Sequence, residues 1–172
     1  MEYSLHTPLT DADVSKLRIG DVVKLSGTIY TARDAAHKKL TEAAAKGGSL
    51  PFDIDGSVIY YAGPCPDKPG LVMNSCGPTT SYRMDDYAPV LYGLGQRAAI
   101  GKGRIGAKVI AAMKKRGGVY FIATGGAGAL LSKCMVKKEI VAYPELMAEA
   151  VRKIEVVDMP LIVGAVGGES LV

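Results

Sequence analysis

Short β-branched runs, each closed by glycine or proline and followed by a helix-forming stretch, recur along this chain. That rhythm limits the fold more than any other feature. Residues 22–30, rich in Val, Ile and Thr, read as a strand. Asp34 opens an Ala- and Lys-rich helix over 35–46, closed by Gly47-Gly48. Residues 57–61 form a second strand, ended by Gly63-Pro64, and 70–73 are a short strand-like run. Pro89 predicts a short or broken helix. Residues 98–101 read as a short strand. Ile105, Val109, Ile110 and Met113 mark a helix over 105–116, with Lys114-Lys115-Arg116 at its negative end and Gly117 as its stop. Residues 119–123 are a buried strand, 125–135 a glycine-started helix and 140–142 a strand. Pro144 suits the first turn of a helix over 145–153. Residues 161–166 are the last strong strand, and Gly167-Gly168 turns into a short closing one. Strands alternating with helices define the α/β class. Periodicity alone does not separate a doubly wound sheet from other α/β arrangements.

With 172 residues, 48% of them apolar, the chain has room for a proper core and predicts one domain over 1–172. No linker or internal repeat divides it. Its net charge of +4 is too small, and its lysines too scattered, for a nucleic-acid partner. There is no Trp and no evident stacking platform for bases. No apolar run approaches the ~20 residues of a membrane helix, and the N-terminus lacks a signal-peptide pattern, so a cytoplasmic location is expected. Cys65, Cys76 and Cys134 are odd in number and widely spaced, which argues against a disulfide framework. None sits in a Cys-x-x-Cys pattern, and His6 and His37 form no metal cluster, so no metal ligands are assigned. His37, on a Lys-rich helix, is expected to be solvated.

The chemistry concentrates in Cys76-Gly77-Pro78-Thr79-Thr80-Ser81-Tyr82-Arg83-Met84-Asp85. Gly-Pro forces a turn. Thr80 or Ser81 is then placed to cap a new helix, whose first N–H groups would be free for an anion. Hydroxyls and a guanidinium fork suit a small carboxylic acid. A capped helix with a surface arginine fits the same residues. Arg33 lies between a strand and a helix, where the positive end of the dipole disfavours a cation lacking an anionic partner. Asp34 or a bound carboxylate would supply one. Lys102, in Gly101-Lys102-Gly103, is either an unobstructed ligand or a turn lysine. Thr124-Gly125-Gly126-Ala127-Gly128-Ala129 lacks the third glycine of a dinucleotide loop and the lysine of a P-loop, which favours close packing over phosphate binding.

The run Gly77-Pro78-Thr79-Thr80-Ser81, with Arg83-Met84-Asp85, resembles the signature of the β subunit of class I fumarate hydratases and L-tartrate dehydratases. These are iron–sulfur hydro-lyases. The likeness extends through Gly27-Thr28-Ile29-Tyr30-Thr31-Ala32-Arg33-Asp34-Ala35-Ala36-His37, Tyr60-Tyr61-Ala62-Gly63-Pro64, Ile100-Gly101-Lys102-Gly103 and Ala123-Thr124-Gly125-Gly126-Ala127. Several motifs in the right order make it specific.

The resemblance implies a swivelling β/β/α domain. It implies a cysteine-bearing α subunit that ligates a 4Fe–4S cluster, with none bound by this chain alone, in an α2β2-type assembly. The implied reaction is reversible hydration of fumarate to (S)-malate. The alternatives are tartrate dehydration and, from another class, a stand-alone module that binds small organic acids. By the same resemblance Arg33, Thr80, Arg83 and Lys102 bind the dicarboxylate and Thr79 transfers the proton. A threonine hydroxyl is a weak base and needs an activating partner, which is not evident beside it in sequence. Arg104 departs from the family's pattern and adds charge beside Lys102.

Overall fold

A computed structural model describes residues 1–172. In chain order the elements are β1 (Glu2–His6), α1 (Asp11–Ser15), β2 (Val22–Thr31), α2 (Asp34–Ala45), β3 (Val58–Tyr60), α3 (Ala88–Leu94) and β4 (Ala98–Gly101). There follow α4 (Ala107–Arg116), β5 (Val119–Ile122), α5 (Gly128–Leu131), β6 (Met135–Ala142), β7 (Val151–Val166) and β8 (Glu169–Ser170). Short 3₁₀ turns occupy Ser81–Met84, Ser132–Cys134 and Pro144–Glu149. No helix is long and apolar enough to cross a membrane.

Strands β1 to β5 run parallel in the order β1-β2-β3-β4-β5. The antiparallel β7 pairs with β5 on one side and with β2 on the other. It thereby closes β2, β3, β4, β5 and β7 into a barrel-like ring. Closure removes two sheet edges that would otherwise be open to pairing. β6 and β8 also pair with β7. The mixed α/β class is therefore as expected, but the barrel-like closure by one long antiparallel strand is not what an open doubly wound sheet would give.

Alternation along the strands divides the core in two. Leu25, Ile29, Val58, Tyr60, Ile100, Phe121, Ile154 and Val163 belong to one apolar cluster. Ile59, Tyr61, Ala99 and Tyr120 belong to the other, where they meet Leu40 of α2, Leu91 and Tyr92 of α3, and Val109 and Met113 of α4. Each fully buried Leu or Ile contributes about 1.5–3 kcal/mol. Helices α2, α3 and α4 thus cover one side of the parallel strands and hold their ends in fixed relation.

Several expectations need correction. Residues 70–73 form a turn with exposed Leu71 and Val72, not a strand. The helix expected over 125–135 shrinks to α5 and a 3₁₀ turn, and β6 begins at Met135. The helix expected over 145–153 is only the 3₁₀ turn Pro144–Glu149, because from Val151 the chain joins the sheet. Val151, Ile154 and Val156 are buried there, and packing in the ring overrides local helix propensity. β1 and α1 were not anticipated. α1 is secured by a reciprocal capping box between Thr10 and Asp13. In contrast, Gly117 ends α4 in the left-handed conformation, and Pro89 sits in the first turn of the short α3, both as anticipated.

Candidate active site

Because β2 to β5 are parallel, their carboxyl ends line one rim of the sheet. Ligands of α/β sheets gather at such rims. Arg33 follows β2, Gly63 follows β3, Lys102 follows β4, and Thr124-Gly125 follows β5. Four motifs far apart in sequence therefore meet at one edge.

The segment from Pro78 to Arg83 is laid across this rim by backbone bonds. Pro78 bridges Ala62, and Thr80 forms a parallel bridge with Lys102. The Thr79 N–H donates to the Tyr61 carbonyl at 2.7 Å, and the Ser81 N–H donates to the Lys102 carbonyl at 3.0 Å. Thr79 and Thr80 are half-buried. The half-buried Lys102 runs its stem alongside Gly125, with Cδ 3.5 Å from where a Cβ would stand. Arg83 is exposed on the 3₁₀ turn Ser81–Met84 and makes no hydrogen bond or ion pair within the chain. No capped α-helix starts here. Thr80 precedes only that turn, and its side chain caps nothing. The anion-binding helix end expected at Thr80 or Ser81 is therefore absent, and the positive charge near this rim comes from the side chains of Arg33, Arg83 and Lys102.

Beneath the threonines lies a buried polar pair. Ser81 Oγ and the Tyr120 hydroxyl are 2.8 Å apart, and Tyr120 donates to the Gly103 carbonyl at 2.9 Å. Burial pushes the Tyr120 hydroxyl up to about 12, so it remains protonated and serves as a fixed donor. Gly101 makes this arrangement possible, since a Cβ there would overlap Ser81 Oγ and stand 3.0 Å from the Tyr61 ring. Ser81 was legible only as one of three hydroxyls. Nothing in the sequence marked Tyr120 beyond its place in a buried strand.

Arg33 precedes α2, as expected, and its Nε lies 3.6 Å from Asp34 Oδ1 and 3.9 Å from Glu149 Oε1. The local anionic partner suggested by Asp34 is thus joined by a second one from the far end of the chain. His37 is fully buried, not solvated. Its Nδ1 lies 2.9 Å from the Arg33 carbonyl, and its ring meets Tyr61 edge-on at 5.2 Å between centroids. Burial lowers its pKa to about 4, which keeps the imidazole neutral. The lysines of α2 suggested solvent, but position 37 falls on the helix face that carries Ala36 and Leu40.

The glycines of the 124–129 loop act through packing. Gly128 approaches the 75–77 segment so closely that a Cβ would stand 2.8 Å from the Gly77 nitrogen. No group of three or more His, Cys, Asp or Glu residues is arranged to hold a metal. Cys76 is buried with its thiol pushed up to about 12 by desolvation, while Cys65 is exposed. The residues present therefore do not fit ligation of an iron–sulfur cluster by this chain.

Among curated relatives, the chain is 43% identical over 169 residues to the Methanocaldococcus jannaschii protein named "Putative L(+)-tartrate dehydratase subunit beta", covering 95% of this chain and 86% of that one. It is 40% identical over 163 residues to the aerobic class I fumarate hydratase of Escherichia coli K12, covering 92% of this chain and 30% of that one. The Salmonella typhimurium aerobic class I fumarate hydratase is 39% identical over 163 residues, again 92% of this chain and 28% of the relative. The chain thus spans under a third of the length of those fumarate hydratases. The model of the family described as Fumarase C-terminus matches residues 1–170, and the chain belongs to that family.

Proposed function

We propose that this chain is the β subunit of a two-subunit iron–sulfur hydro-lyase that hydrates fumarate reversibly to (S)-malate. The observation that carries this reading is the meeting of Arg33, Thr79, Thr80 and Lys102, from separate motifs, at the carboxyl ends of the parallel strands. In this proposal the chain is one swivelling β/β/α domain over 1–172. The 4Fe–4S cluster is ligated by a cysteine-bearing α subunit, in an α2β2-type assembly. The relatives support the division of labour, because this chain matches 86% of a β-subunit relative and under a third of a longer polypeptide in the others.

Arg33, Arg83 and Lys102 hold the two carboxylates of the substrate. Cations at both ends orient the dicarboxylate so that one carbon–hydrogen bond faces Thr79. Thr80 donates to or accepts from a substrate oxygen. Thr79 Oγ1 carries the proton to and from the carbon next to a carboxylate. Its hydroxyl needs a base, which the α subunit supplies at the shared site.

L-tartrate is the second substrate reading, favoured by the 43% identity to the tartrate dehydratase β-subunit relative. Tagged chain, expressed with its native partner and purified without oxygen, should copurify with a cysteine-rich subunit. The complex should turn over fumarate faster than tartrate, and the isolated chain should turn over neither and bind no iron. Faster tartrate turnover would select the second substrate. Stoichiometric cluster and turnover in the isolated chain would refute the two-subunit reading.

A further inference from the structure

We infer that Glu149 is a positioning residue for Arg33, held in place by a strained strap that Arg152 clamps. This rests on the reading of Arg33 as a substrate-binding residue. The strap is the segment between β6 and β7. Tyr143 (φ 54°) and Met147 (φ 55°) are two of the three non-glycine residues with positive φ in the chain. Met147 also has ψ −114°, outside the left-handed helical region. Such strain persists only where the surroundings over-determine it.

Arg152 supplies that constraint. Its guanidinium donates to the carbonyls of Met147 at 3.1 Å and of Ala148 and Ala150 at 3.2 Å. Lys39 of α2 secures the other end through Glu145 at 3.0 Å. So anchored, the strap sets the Ala148 carbonyl against Gly63, where a Cβ would stand 3.0 Å from it and 3.1 Å from Arg33 Cδ. Strap, Gly63 and Arg33 pack as one unit.

Glu149 Oε1 then accepts the Ala35 N–H at 3.2 Å, which fixes the carboxylate at the positive end of α2. From there it faces Arg33 Nε, a buried atom with no hydrogen bond. Both Nη atoms of Arg33 are left without a protein partner. Glu149 and Asp34 thus attract the inner edge of the guanidinium and leave its outer edge for a carboxylate. Asp34 sits on the same turn as Arg33, so Glu149 is the anionic partner that comes from outside α2.

Glu149→Gln keeps an acceptor for Ala35 and removes the charge. In the assembled enzyme we expect KM for fumarate to rise about 1.5- to 5-fold with kcat little changed, the range for a partly exposed ion pair. Arg152→Lys should raise KM in the same direction. In an Arg33→Ala background, Glu149→Gln should add nothing. The isolated chain gives a separate readout: the Arg33 Nε–H NMR resonance, assigned with Arg33→Lys, should shift and exchange faster in Glu149→Gln. An unmoved resonance, an unchanged KM, or full additivity with Arg33→Ala overturns the inference. Arg33→Ala without effect on KM refutes the substrate-binding reading of Arg33 instead, and the NMR result still decides whether Glu149 orients it.

Discussion

Gly101→Ala adds one methyl group where the site can least accommodate it. Gly101 ends β4, is buried, and has a backbone conformation open to any L-residue. The cost is therefore steric. The new Cβ overlaps Ser81 Oγ and stands 3.0 Å from the ring of fully buried Tyr61. Ser81 can escape only by leaving Tyr120 or by dragging the 79–83 segment outward. An abandoned buried polar group costs about 1–3 kcal/mol, and overpacking costs about the same. Replacing glycine returns about 0.4–1 kcal/mol through the unfolded chain. A net loss of about 1–2 kcal/mol follows from either escape. Ser81→Ala alone should cost only about 1 kcal/mol, because the Tyr120 hydroxyl keeps the Gly103 carbonyl. It also vacates the space the new methyl needs.

The double variant should therefore be more stable than the sum of the two losses predicts, by about 1–2 kcal/mol. Urea unfolding of the isolated chain measures all four corners of the cycle. A Gly101→Ala loss below about 0.5 kcal/mol, or losses that simply add, would refute the packing argument. Because the Ser81 N–H is bonded to the Lys102 carbonyl, the single variant should also displace Thr80 relative to Lys102. Activity of the assembled enzyme should then fall even at temperatures where the chain remains folded.

Burial lowers His37 to about 4, against about 6.5 in an unfolded chain. Between those values the unfolded state binds the extra proton, so stability falls as pH is lowered from about 6.5 towards about 4, by up to about 1.4 kcal/mol per unit. His37→Gln should flatten that slope in urea titrations, and an unchanged slope would count against a neutral buried imidazole. Arg83→Lys keeps the charge but loses the fork, and kcat/KM of the assembled enzyme should drop about 10- to 100-fold. Lys102→Met, which removes the charge, should drop it further; wild-type kinetics in either would remove that residue from the site. Thr79→Val should lower kcat by about 10²–10⁴ with KM nearly constant, while Thr80→Val should act mainly on KM. If Thr79→Val exchanges the malate C3 proton at the wild-type rate, Thr79 does not transfer it.

What the sequence made legible was local. Lys114-Lys115-Arg116 with Gly117 announces the end of α4, because charge and left-handed backbone act within one turn. The run 119–123 announces β5 through its β-branched and aromatic residues. The motifs at Arg33, Thr79-Thr80 and Lys102 were visible as separate stretches. That they share a rim follows from the parallel order of β2 to β5, which no single stretch encodes.

The misreading of residues 145–153 has one cause, the strand β7. Residues 145–153 carry helix-forming residues and a proline suited to a first turn, so local propensity favours a helix. Yet Val151, Ile154 and Val156 gain more by burial between β2 and β6 than a helical turn could supply. Since β7 also pairs with β5, one misassigned segment hides the ring closure. It hides the strap as well, because Glu149 would ride a helix in the local reading. Only once β7 begins at Val151 must the chain fold back through strained Met147 and bring Glu149 to Arg33. The contact joins residues 116 positions apart (149 minus 33), and its energy is realised only after the ring has closed. The sequence therefore displays the cation of this pair and conceals its anion.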